Sequence, residues 1–199
     1  MSRATALTRA TLPWPGRRRF ALALSGAALA ACAPAWSQNA SSLSLERKVK
    51  AAFLYKFLGY TEFPAGALGE PGSPVAIGVL GADDLAAELT RIVSRRTIQG
   101  RPITVKVFRE HESPTGVHLL FVGGSEAWRV RNVLRSLQPA PMLLVTEAED
   151  ALRHGSVINF RIVEERVRFD VSLEAADKNS IKLSSRLLTV ANQVHKGTP

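Results

Sequence analysis

A single cysteine, Cys32, stands in 199 residues, so no intramolecular disulfide can form and the fold must be stabilised by its core. Thiolate metal sites are excluded with it. The four histidines, His111, His118, His154 and His195, show no close ligand spacing, so neither metal nor cofactor is expected. There is no Walker loop, and the glycines of GVLGADD (Gly78–Asp84) have the wrong spacing for a dinucleotide fingerprint. The first 37 residues contain five arginines and no acid at all.

That last absence changes the meaning of the +9 formal charge. Without residues 1–37 the chain has 21 basic and 17 acidic residues, a net of +4. The basicity belongs largely to an export signal: Arg17–Arg19 form a positive n-region, and Phe20–Ala30 is an apolar run too short to span a bilayer comfortably. Ala35-Trp36-Ser37 has the small-x-small pattern of a signal-peptidase site, which would leave Gln38 first. A periplasmic location follows, and nucleic acid is not an expected partner. Leu29-Ala30-Ala31-Cys32 also resembles a lipobox, so the alternative is a protein lipid-anchored through Cys32.

Residues 38–44 read as a flexible leader, with Ser44 a candidate cap for a helix from Leu45 to about Tyr60. Short apolar strands at Val75–Leu80, His118–Gly124 and Pro141–Glu147 and an alternating one at Ile103–Phe108 are interleaved with helical patterns at Asp83–Val93 and Ser125–Leu137. Ala148–His154 makes one or two helical turns closing on Gly155. Ser156–Leu173 then alternates as two strands turning near Glu164–Glu165, and Ser184 to about Val194 reads as a last helix. This order predicts a single α/β domain. Its central sheet should be mostly parallel, flanked by helices on both faces, with a C-terminal antiparallel hairpin and a terminal helix. The bounds are a signal peptide at 1–37, the leader at 38–44, the domain at 45–195 and a tail at 196–199.

Catalytic patterns are sparse. Gly123–Ala127, GGSEA, sits at a strand-to-helix turn, the geometry of a nucleophile elbow, but alanine replaces the closing glycine. Ser125 would need His154 or His195 as base; the plainer reading is a helix N-cap. The same turn offers N–H groups to a small anion. Arg129, Arg131 and Arg135 line one helix as a solvated basic face.

Five of the thirteen aromatic residues lie in KAAFLYKFLGYTEFP, Lys50–Pro64. On a helical wheel Phe53, Phe57 and Tyr60 form one inward stripe with Leu54 and Leu58. Tyr55 lies on the opposite, wet-looking side with Lys48 and Lys56, where a ring with a polar tip suits contact with a partner or a second copy.

The same segment resembles the opening of exported YfiR-like proteins in Lys50-Ala51-Ala52-Phe53-Leu54-Tyr55, Phe57 and Phe63-Pro64. The likeness continues through IGVLGADD, IQGRPITVKV, HLLFVGGSE and LLVTEAED. It closes on Gly155, Ile158-Asn159-Phe160, Arg168-Phe169, Ala175-Ala176 and Ser184–Leu188, covering about residues 45–192. It implies a periplasmic regulator without enzymatic activity, often dimeric. Such a protein binds the periplasmic region of an inner-membrane diguanylate cyclase and represses it, and an outer-membrane-associated lipoprotein can sequester it. The alternative is a periplasmic small-molecule receptor relaying occupancy to a membrane sensor. Here His154-Gly155-Ser156 replaces the family's usual glycine pair before the hairpin, and the disulfides of some members are absent. The charged hairpin is the expected docking element, through Asn159, Glu164, Arg168, Phe169 and Asp170 together with Tyr55 of the first helix.

Overall fold

The computed structural model describes residues 35–137 and 140–197, with side chains from Ser41 onward. The n-region, the apolar run and Cys32 lie outside the described residues. The chain divides into two units at Ala40/Ser41, and the packing below is that of the second.

Helix α1 spans Ala35–Gly59. It starts ten residues before the expected Leu45 and passes through the leader, because no glycine or proline interrupts 35–58; Ser44 is therefore inside it rather than capping it. Gly59 ends it, and Tyr60 N–H and the Thr61 hydroxyl both donate to Phe57 O. Ala51, Leu54, Phe57 and Leu58 are fully buried along its inner stripe. Tyr60 is not among them: it lies past the helix end and is exposed.

The remaining elements are β1 (Thr61–Glu62), β2 (Val75–Leu80), α2 (Asp83–Val93), β3 (Thr97–Ile98), β4 (Arg101–Phe108), β5 (Leu119–Val122), α3 (Ala127–Ser136) and β6 (Leu143–Thr146). A 3-10 turn (Ala151–His154) leads to β7 (Ile158–Val163), β8 (Arg166–Ser172), α4 (Leu173–Lys178), β9 (Lys182–Leu183), α5 (Ser185–Val190) and β10 (Gln193–His195). Eight strands form one sheet in the order β10-β8-β7-β6-β5-β2-β4-β3, and β1 pairs with β9 separately. The sheet is mixed rather than mostly parallel throughout. Its inner block β4-β2-β5-β6-β7 is parallel, while β7 meets β8 and β4 meets β3 antiparallel. At the second junction Gln99 and Gly100 make a two-residue turn at φ 51° and 75°, joining Ile98 to Arg101.

The terminal helix is also shorter than its pattern suggests. α5 stops at Val190, and Gln193–His195 instead add a parallel strand to β8. Asn192 makes the break: its N–H donates to Phe169 O and its amide Nδ2 to Asp170 Oδ1 at 2.7 Å. α4 is a helix that the sequence pattern does not announce, capped by the Ser172 hydroxyl accepting from Ala175 N–H.

β2, β5 and β6 are buried along their whole length, as central strands between two helical layers must be. α1 packs on one face. There Phe53 and Phe57 meet Phe160 and Phe169 at centroid separations of 4.9–6.1 Å, and Phe121 joins through Phe160. The ion pair Arg47–Asp84 puts α2 beside α1, and the opposite direction of the β5–α3–β6 crossover puts α3 on the other face. On that other face, Thr146 Oγ1 donates to Asn159 Oδ1 at 2.6 Å and shares a 2.8 Å hydrogen bond with Ser156 Oγ. Ser156 thus brings a buried hydroxyl with partners to the entry of β7, while Gly155 supplies the left-handed turn at φ 101°.

Candidate functional site

In a sheet of this kind, strands lead their crossovers in opposite directions from one point, and the crevice outside their carboxyl ends is the usual ligand seat. Here that point lies between β2 and β5. The crevice is filled by the protein itself. The Arg129 guanidinium, from α3, donates through Nη1 to Gly123 O at 3.0 Å and through Nε to Glu110. A Cβ on Gly81 would stand 2.4 Å, and one on Gly124 2.8 Å, from guanidinium nitrogens. The glycines after these strands therefore make room for an arginine.

One strand further along, Glu147 follows β6. Its Oε1 accepts from Gly124 N–H at 2.7 Å and its Oε2 from Lys50 Nζ at 2.6 Å. The glycine turn that could hold an anion thus already holds a carboxylate of the chain. Lys50 is buried on α1 and also donates to Glu46 one turn back. Burial lowers its affinity for a proton, but the hydrogen bonds and charges of Glu147 and Glu46 outweigh this, and its pKa lies above the ordinary lysine value. The ammonium also lies 6.0 Å from the Phe160 ring centroid.

Two clefts share Glu46, Lys50 and Glu147. One, of about 590 Å³, lies between α1 and the start of α2, with Leu43, Arg47 and Asp84 in its wall. The other, of about 540 Å³, runs from Gly124–Ser125 past Glu149 to Asn159, Phe160 and Arg161 on β7. Lys50 and Glu147 are the residues that local patterns miss, because the partners are 97 positions apart. A signal existed in hindsight: KAAFLY, GGSE, TEAED and NFR each contribute to the walls of the second cleft.

Ser125 lies exposed in this cleft but does not cap α3, whose N-cap is Glu126 without a side-chain bond. Among the described residues no hydrogen bond joins Ser125 to a histidine, and no group of three or more His, Cys, Asp or Glu could hold a metal ion.

The expected docking residues divide. Asn159 and Asp170 are register partners, both buried, and Arg168 stands across from Arg161 on the same face one step outward. Glu164 is at the exposed tip. Phe169 points to the opposite face and is fully buried against Phe53 and Phe57, so it fixes α1 rather than meeting solvent. Tyr55 is not on a wet face: it is half-buried against the core, with the Arg96 guanidinium 5.0 Å from its ring centroid. Phe53 and Phe57 face the hairpin strands, while Tyr55 faces the segment after α2, so the structure does not join it to the hairpin.

The fold and site define an α/β domain with open clefts whose buried charges are neutralised internally. The chain belongs to the YfiR/HmsC-like family, which it matches over residues 47–192. No curated protein matches it. Among the described residues no helix is long and apolar enough to cross a membrane.

Proposed function

We propose that this protein is a periplasmic, non-catalytic regulator that binds the periplasmic region of an inner-membrane diguanylate cyclase and holds it inactive, limiting cyclic-di-GMP and biofilm formation. Family membership across the domain supports the reading. So does the pairing of Lys50 with Glu147 and Glu46, and of Glu147 with Gly124 N–H, which commits the cleft's inner charges to structure rather than to proton transfer. The docking residues are Glu164 and Arg168, set from beneath by Asn159, Asp170 and Phe169, with Tyr55 a separate contact for a partner or a second copy in a homodimer. An outer-membrane-associated lipoprotein would release the cyclase by competing for the repressor. Deleting the gene should raise cyclic-di-GMP and attachment, and the paired reversals Glu164→Lys and Arg168→Glu should weaken binding to the sensor without unfolding the domain. Unchanged cyclic-di-GMP would overturn the reading.

A second reading is a small-molecule receptor that passes occupancy to its membrane partner. The two clefts favour it, being within the volume range of about 300–1,000 Å³ typical of ligand sites. Ligand-dependent affinity for the sensor separates gated repression from plain tethering. Mass spectrometry of the mature N-terminus decides between Gln38 first and a diacylglyceryl Cys32.

A further inference from the structure

The outer half of the β7–β8 hairpin breaks two local rules. Arg161 and Arg168 are direct cross-strand partners, and like charges so placed are destabilising. Alternation puts Arg166 on the same face, about 7 Å along the strand from Arg168. Among the described residues the one acid within ion-pair distance of any of them is Asp170, whose Oδ2 lies 3.8 Å from Arg161 Nη1 and whose other oxygen is taken by Asn192. Among the described residues neither Arg166 nor Arg168 has an ion-pair partner. The second broken rule is the turn: Glu164 and Glu165 both adopt the left-handed region, at φ 49° and 59°, where Asn-Gly is favoured. Strain and repulsion concentrated in one exposed element, offset by a single 3.8 Å ion pair, mark a place shaped for something other than stability.

We infer that the arginine face of the hairpin, Arg161, Arg166 and Arg168, is a docking strip for an extended acidic segment of a protein partner. Carboxylates on alternate residues of an extended chain repeat at about 7 Å, matching Arg166 and Arg168, and the one at Arg168 also meets Arg161 directly across the strand pair. The carboxylates at the tip, Glu164 and Glu165, favour a protein laid alongside the hairpin over an anionic lipid surface approached tip-first. This rests on the hairpin being the docking element of the proposed repressor and names the chemistry it recognises.

The test uses the purified protein, labelled with ¹⁵N, and a capped heptapeptide of alternating threonine and glutamate. Amide shifts should concentrate in residues 159–170, disappear with the glutamine analogue of the peptide, and weaken at least tenfold in Arg168→Gln. That variant should also melt about 2–4 °C higher, because it removes the opposed charge; a misfolded protein would melt lower. Arg161→Gln is unsuitable for this arm, since it strips Asp170 of its cationic neighbour. Absent or scattered shifts, an unchanged or lower melting temperature in Arg168→Gln, or co-sedimentation with phosphatidylglycerol vesicles would each overturn the inference. None of these outcomes involves the cyclase, so the docking strip and the repressor reading fail separately.

Discussion

The two halves of β7 are built to opposite standards. From Ile158 to Phe160 the strand is buried, its Asn159 amide is held by Thr146, and its Phe160 ring packs in the cluster under α1. From Arg161 to Val163 it runs beyond the end of β6, carries an exposed Ile162, opposes arginine to arginine and ends in a strained turn. The inner half satisfies each local preference and holds the domain together. The outer half satisfies few of them and is exposed. Packing and strain are thus segregated along one strand, a few residues apart.

The largest break of this contrast is Phe57→Ala. It removes the ring at the centre of the cluster and leaves a cavity under α1, which should lower stability by about 3–5 kcal/mol in denaturant titration. Lys50→Met should be next. It leaves Glu147 and Glu46 without their shared cation, with an expected loss of about 1–3 kcal/mol, kept modest because both carboxylates are partly solvated. At the outer end the sign reverses: Glu164→Asn with Glu165→Gly should stabilise by about 1 kcal/mol, since those residues accept the left-handed turn. A destabilised double variant would show that the turn is not a strained element.

The smallest effect lies away from β7. His118 Nδ1 accepts from Ala76 N–H at 2.9 Å and its other nitrogen meets Ala67 O at 3.2 Å, which fixes the neutral ring. Burial lowers its pKa, and nearby Arg101 and Lys106 add to this against the raising effect of the bond to Ala67. The folded value is depressed, so the unfolded chain binds the proton more readily. Stability is therefore full above about pH 6.5 and falls as pH drops through the folded value. Melting curves between pH 7.5 and 5 should show this loss in the wild type and less of it in His118→Gln.

The alternation of central strands and helices was legible because Val75–Leu80 is a short β-branched apolar run stopped by Gly81, and Asp83–Val93 carries a helical period. β3 and β10 were not, since two or three residues hold no period and pairing alone makes them strands. Tyr60 leaves the helical stripe because Gly59 ends the helix before it. Of the site, the hairpin and its turn could be read locally. The Lys50–Glu147 pair, the Arg129 plug and the stacking of Arg96 on Tyr55 could not, because each joins segments that only the folded chain brings together.

Arg129 is in effect a ligand covalently tethered to its own receptor. A free metabolite competing for the crevice between β2 and β5 would face a guanidinium at the effective concentration of an intramolecular partner, already bonded to Gly123 O and Glu110. The fold keeps the crevice at its switch point, with one of the chain's own side chains seated in it. The open volume of the domain lies instead to the side of that crevice, in the two clefts that share Lys50.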